Sequence, residues 1–112
     1  MEKYHQLADL LLELEMMMRQ EALWDIPMPS PEAFMSQEPF CIDTMSFSQW
    51  VKFVMLERYK QIIEQKMALP PHSEIAPIAD MYFQQQTESV KRKVLTMFMR
   101  LDRFINDQNR MD

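Results

Sequence analysis

Not one of the 112 residues is glycine. Glycine takes up left-handed backbone at little steric cost. Without it, Gly-rich phosphate loops, dinucleotide fingerprints and the strained elbow that presents a serine nucleophile are excluded in their usual form. Much of the common enzyme repertoire goes with them. The residues that remain favour helices: Ala, Leu, Met, Glu, Gln, Lys and Arg supply 61 positions, whereas Val, Ile and Thr supply 14. The expected fold is all-α, a compact four-helix bundle of three long helices and a short third one, with a long Pro-rich connection after the first. A chain of 1–112 has room for one such domain.

The helices are marked by apolar spacing. Tyr4, Leu7, Leu10, Leu11, Leu14, Met17 and Met18 share one arc, which predicts helix 1 over about 3–23. Pro27, Pro29, Pro31 and Pro39 then forbid a continuous helix, although Ser30-Pro31-Glu32 suits one short capped turn. Trp24, Ile26, Phe34 and Phe40 give this connection apolar anchors, so it is expected to drape over the bundle. Ser46 and Gln49 have capping-box spacing, which opens helix 2 and carries it to about Lys66. Phe47, Trp50, Val51, Phe53, Val54, Met55, Leu56, Tyr59, Ile62 and Ile63 point around most of its circumference, which predicts a central, largely buried helix. Pro77 suits the first turn of a short helix 3 across Ile78 to Phe83. Thr87 can cap an amphipathic helix 4 that reaches about Asn106.

Charge and cysteine usage bound the function classes. The net charge of −5 opposes sequence-independent binding to phosphate backbones, so autonomous nucleic-acid binding is not expected. The acidity is concentrated: residues 1–56 carry nine acids and three bases. A single cysteine, Cys41, excludes an internal disulfide, and two histidines, His5 and His72, cannot build a zinc site by spacing. No metal and no cofactor are expected. Neither a secretion signal nor a membrane span is indicated, and a reducing cytoplasm fits.

Candidate chemistry is sparse. Asp43, Glu57, Glu64 and Asp80 lack the Glu-x-x-His pairing of di-metal bundles. Asp43 and Thr44, just before the capping serine, are expected to fix a turn through bonds to backbone amides. Thirteen methionines invite an adaptable binding surface, but Met17, Met18 and Met97 lie on core stripes and ordinary packing is favoured for the set. Arg92, Lys93, Arg100, Arg103 and Arg110 gather on the outer face of helix 4 without interleaved aromatics, which favours a solvated face over an RNA surface.

Pro39-Phe40-Cys41-Ile42-Asp43-Thr44-Met45, followed by Gln49-Trp50-Val51, resembles the YqcC-like family of small bacterial helical proteins. The resemblance extends through Leu69-Pro70 and Ile75-Ala76-Pro77 and implies a compact helical bundle with no established activity. The family's common label links it to tRNA pseudouridine synthase C, which implies an association with tRNA modification. Synthases of that class carry an Arg-Leu-Asp signature, and Arg100-Leu101-Asp102 reproduces it. Here Phe104-Ile105-Asn106 follows on an amphipathic helix, so Asp102 is expected to have no pocket and the catalytic reading is rejected.

The resulting expectation is a non-catalytic cytoplasmic accessory or adaptor, with a tRNA pseudouridine synthase or another protein as partner. A small-ligand or RNA-binding module on the helix 4 bases and an enzyme centred on Asp43 are the alternatives. Phe40, Asp43, Thr44 and Trp50 form the candidate ligand or conformational site. Leu12 and Met16 beside the acids of helix 1, and Leu95 and Met99 beside Arg92, Lys93, Arg100 and Arg103, form the candidate partner surface. Those complementary faces point to a weak homodimer or a heterologous partner, with burial inside the bundle as the alternative.

Overall fold

A left-handed residue commonly stops a helix, and without glycine the chain uses other residues for this twice. In the computed structural model, which describes residues 2–84 and 86–110, α1 spans Glu2–Gln20. It ends short of residue 23 because Ala22 adopts φ 61° and the Leu23 N–H returns to the Met18 carbonyl at 2.8 Å. Lys66 plays the same part after α2: at φ 53° it lets the Met67 N–H donate to the Ile62 carbonyl at 3.0 Å. The side chain of Arg110 lies outside the described residues.

Residues 47–65 form α2, whose start follows from the local sequence. The Gln49 N–H donates to Ser46 Oγ at 3.1 Å and the Ser46 N–H to Gln49 Oε1 at 2.8 Å. The helix is α-helical over Phe47–Trp50 and Leu56–Gln65, but Val51–Met55 is a π-turn in which the Leu56 N–H reaches back to the Val51 carbonyl. Ala76–Tyr82 is α3, which begins before the expected Ile78 and carries Pro77 in its first turn. Glu88–Arg110 is α4, opened by Val90 N–H donating to Thr87 Oγ1 at 3.3 Å and extending past Asn106. The described residues contain four helices of one turn-rich bundle and no strand.

α1 packs on α4 and on the second half of α2, and α3 closes against α4. The helix stripes meet in one core, where Leu7, Leu14, Leu56, Phe98, Leu101 and Ile105 are almost fully excluded from water. Phe47 is the hub of its aromatic end, stacked on Tyr82 at 5.4 Å and edge-on to Phe83 and Phe98 at 5.8 and 5.6 Å. The expectation that α2 is buried around most of its circumference needs correction. Phe47, Val51, Met55, Leu56, Tyr59 and Ile62 are buried, but Trp50, Phe53 and Val54 are half-buried because the Pro-rich connection covers only part of their side, and Ile63 is half-buried in a groove beside Ala8, Leu11 and Leu12 of α1.

The connection does drape over the bundle. Arg19 and Lys52 lie 4.9 and 4.7 Å from the Trp24 ring, and Lys52 Nζ also donates to the Trp24 carbonyl at 2.8 Å. Pro31–Met35 and Pro39–Cys41 form 3-10 turns. Ser30 stands at the N-cap of the first without a side-chain capping bond, and Phe34 is exposed instead of serving as an anchor. The methionines also depart from simple packing: Met17, Met18, Met45, Met55 and Met97 are buried, whereas Met16, Met28, Met35, Met67, Met81 and Met99 are exposed. The exposed ones sit in loops or on outer helix faces, where core periodicity says nothing.

Candidate functional site

Pro39 opens a tight turn, and the chain then bends through two consecutive left-handed residues, Phe40 at φ 59° and Cys41 at φ 49°. Each such non-glycine residue costs on the order of 1–3 kcal/mol and persists where its surroundings over-determine it. Those surroundings are on both sides. Phe40 packs edge-on to Trp50 at 4.8 Å, while the Met45 N–H donates to the Cys41 carbonyl at 3.1 Å and the Ile42 N–H to Pro39 at 3.2 Å. The motif Pro39 to Met45 is therefore a rigid corner seated on the first turn of α2.

The polar residues of that corner brace it against the preceding turn. The Thr44 hydroxyl donates to the Ala33 carbonyl at 2.7 Å, and the Ser36 hydroxyl donates to Asp43 Oδ1. The expected bonds to backbone amides are thus replaced by a hydroxyl-to-carbonyl bond and a side-chain pair, because residues 33–36 fold back against 41–44. Phe40 and Trp50 are brought together; Asp43 and Thr44 are exposed on the outer side of the corner.

Between the corner and α2 lies a cleft of about 630 Å³, walled by Phe34, Phe40, Trp50, Phe53 and Val54 and edged by Glu38, Glu57 and Arg58. Phe53 and Val54 belong to the π-turn, a feature frequent at functional sites. Ser36 and Cys41 also line it, and Asp43 does not. No group of three or more metal-ligating side chains occurs among the described residues.

Asp102 requires a correction. The residue is buried, and its carboxylate accepts the N–H groups of Ile75 at 3.0 Å and Ala76 at 2.8 Å together with the Ser73 hydroxyl. Against the expectation of no pocket, it lines one of about 420 Å³ with Ala76, Thr96, Met99, Arg100 and Arg103, and it is held there because α3 has Ile75 at its N-cap, without a capping side chain, and draws its cap from α4. Asn106 continues the contact by exchanging two bonds with the Ser73 backbone at 2.9 and 3.0 Å, and Asn109 donates to the Pro70 carbonyl at 2.8 Å. Tyr59 lies against this cluster, its phenol pushed up to about 12 first by burial and then by the Asp102 carboxylate, with the Ser73 hydrogen bond and Arg58 acting the other way.

The candidate partner surface is partly internal. Arg100 pairs with Glu13 at 2.8 Å and Lys93 pairs with Glu21, so the acidic face of α1 and the basic face of α4 meet within the chain. Leu95 is half-buried against the core; Leu12, Met16, Met99, Arg92 and Arg103 remain exposed.

A family model described as tRNA pseudouridine synthase C (DUF446) matches residues 6–104. The chain belongs to the YqcC-like family. An uncharacterized protein of Haemophilus influenzae is 34% identical over 97 residues, covering 87% of this chain and 90% of that protein. Escherichia coli YqcC, also uncharacterized, is 32% identical over 71 residues, which are 63% of this chain and 65% of YqcC. The solution NMR structure of E. coli YqcC superimposes with a TM-score of 0.83 at 26% identity, covering 96% of this chain and 91% of that one. A Pectobacterium carotovorum protein named tRNA pseudouridine synthase C is 34% identical over 70 residues, 62% of this chain but only 19% of that longer protein. Among the described residues no helix is long and apolar enough to cross a membrane.

Proposed function

We propose that the chain is a non-catalytic accessory protein that works beside a tRNA pseudouridine synthase. The Pectobacterium relative carries this reading: a stretch resembling this chain makes up 19% of a protein named for that activity, and the greater part of that protein lies outside the match. Two units joined in one chain work at high effective concentration, and units made as separate chains must find each other through a surface. Support also comes from Asp102. In the Arg-Leu-Asp tripeptide its carboxylate is committed to Ser73, Ile75 and Ala76, a helix-capping role that accounts for the residue without catalysis.

Pseudouridine formation in tRNA tests the reading, with the synthase alone, the chain alone and the two together. The expected outcome is no product from the chain alone and a several-fold change in kcat/KM for the synthase when the chain is added. Turnover by the chain alone, abolished by Asp102→Asn in a folded variant, overturns it. The RNA-module alternative is disfavoured by the Glu13–Arg100 and Glu21–Lys93 pairs, which reduce the positive charge that α4 offers to phosphates.

A further inference from the structure

We infer that the aromatic cleft between the Pro39–Cys41 corner and α2 is a docking site for a cationic protein segment that inserts an apolar side chain. The apolar surface does not end at the cleft walls. Met35, next to Phe34, is 78% exposed, and Ile42, next to Cys41, is 50% exposed, so the corner offers apolar contact both inside and outside the cleft. Large apolar side chains exposed beside an aromatic cleft suit an interaction site.

Charge selects the occupant. Residues 25–60 carry five acids, Asp25, Glu32, Glu38, Asp43 and Glu57, against three bases, Lys52, Arg58 and Lys60. Lys52 is committed to the Trp24 carbonyl and lies over the Trp24 and Phe53 rings. Glu38 and Glu57 edge the cleft, Glu57 with Lys60 beside it at 3.6 Å, and Arg58 is the one base among the lining residues. The charged lining, Glu38 and Glu57 against Arg58, is acidic by one charge, so lysines or arginines flanking an apolar anchor are favoured over a phosphate-bearing strand. The left-handed pair Phe40–Cys41 makes the wall rigid before binding, which lowers the ordering cost of association. The proposal rests on the accessory reading only for the partner's identity, a basic segment of the synthase.

The test titrates the full 15N-labelled chain with a synthetic amphipathic peptide bearing Leu and Trp on one face and Lys on the other, and with its Glu-for-Lys counterpart. Expected are shifts confined to Phe34, Ser36, Phe53 and Arg58 and their neighbours, and no binding of the Glu peptide. Glu38→Lys/Glu57→Lys and, separately, Met35→Ser/Ile42→Ser weaken binding about tenfold or more, each roughly 1.4 kcal/mol. Glu2→Lys/Asp9→Lys, with the same change of net charge, leaves it within about twofold. Equal weakening by the two charge-reversal pairs, binding of the Glu peptide or shifts centred on α1 overturns the proposal. Competition with the synthase separates the two readings. Synthase binding that ignores both the peptide and the cleft variants overturns the docking site and leaves the accessory reading standing. Lys-peptide binding at the cleft without synthase binding supports the site and removes the synthase.

Discussion

Asp102 holds the first turn of α3 from the opposite helix, its carboxylate accepting the Ala76 N–H at 2.8 Å. The same group accepts the Ile75 N–H and the Ser73 hydroxyl, so one side chain supplies what α3 lacks at its own N-cap. Removing it leaves buried donors without a partner, at about 1–3 kcal/mol for each. Asp102→Ala is expected to cost about 3 kcal/mol or more by urea denaturation, and Asp102→Asn about 2 kcal/mol, because the amide retains one acceptor. Arg103→Ala, one residue on and exposed, is expected to stay within about 0.5 kcal/mol.

Tyr59 makes stability fall at alkaline pH. Its phenol titrates near about 12 in the fold against 10.0 for an ordinary tyrosine, because burial disfavours the phenolate and the Asp102 charge repels it. Between those values the unfolded chain releases the proton and the native chain keeps it, so rising pH favours unfolding. The contribution is fully present below about pH 10 and lost by about pH 12, and two pKa units correspond to about 2–3 kcal/mol. Stability measured against pH in wild type and Tyr59→Phe is expected to diverge in that window. Parallel curves contradict the assignment.

The start of α2 was legible because its signals are local. Ser46 and Gln49 stand three apart in sequence and bond each other in the fold, and Thr87 caps α4 in the same way. The role of Asp102 is not legible locally because its partners, Ser73 to Ala76, lie on another element. A signal was nonetheless present: α4 carries Asp102, Asn106 and Asn109 in one polar row beside its apolar stripe. The left-handed Phe40 and Cys41 gave no such sign, since neither residue type favours positive φ and the conformation depends on Trp50 packing. The cleft follows from that corner and from the π-turn, so its walls were named only in part, as Phe40 and Trp50. Both the acidic face of α1 and the basic face of α4 were visible, but their meeting at Glu13–Arg100 depends on which helices are neighbours.

Phe47 tests the aromatic end of the core independently. It is 4% exposed and makes ring contacts with residues of three helices and the corner, so Phe47→Ala is expected to cost about 3–5 kcal/mol. Ser46→Ala, which removes one half of the capping box, is expected to cost about 1 kcal/mol. Comparable effects of the two substitutions in thermal denaturation contradict this ranking.

Self-association concerns a different face. Leu12, Met16 and Met99 are exposed, so a weak homodimer would rest on these apolar residues without the Glu13–Arg100 and Glu21–Lys93 pairs, which are made within the chain. Leu95 is half-buried, so the informative variant is Leu12→Glu/Met99→Lys, which spares the core. Light scattering over a concentration series is expected to show dimer in the wild type at high micromolar concentration and monomer in the variant. A strictly monomeric wild type rules the homodimer out.

Sedimentation velocity of the full chain mixed with the separately expressed tRNA pseudouridine synthase of its own organism tests the accessory function most directly. We predict one faster-moving species containing both proteins, formed without tRNA and lost when Glu38→Lys/Glu57→Lys replaces the wild-type chain. Two species that sediment independently at tens of micromolar, with and without tRNA, contradict an accessory role beside the synthase.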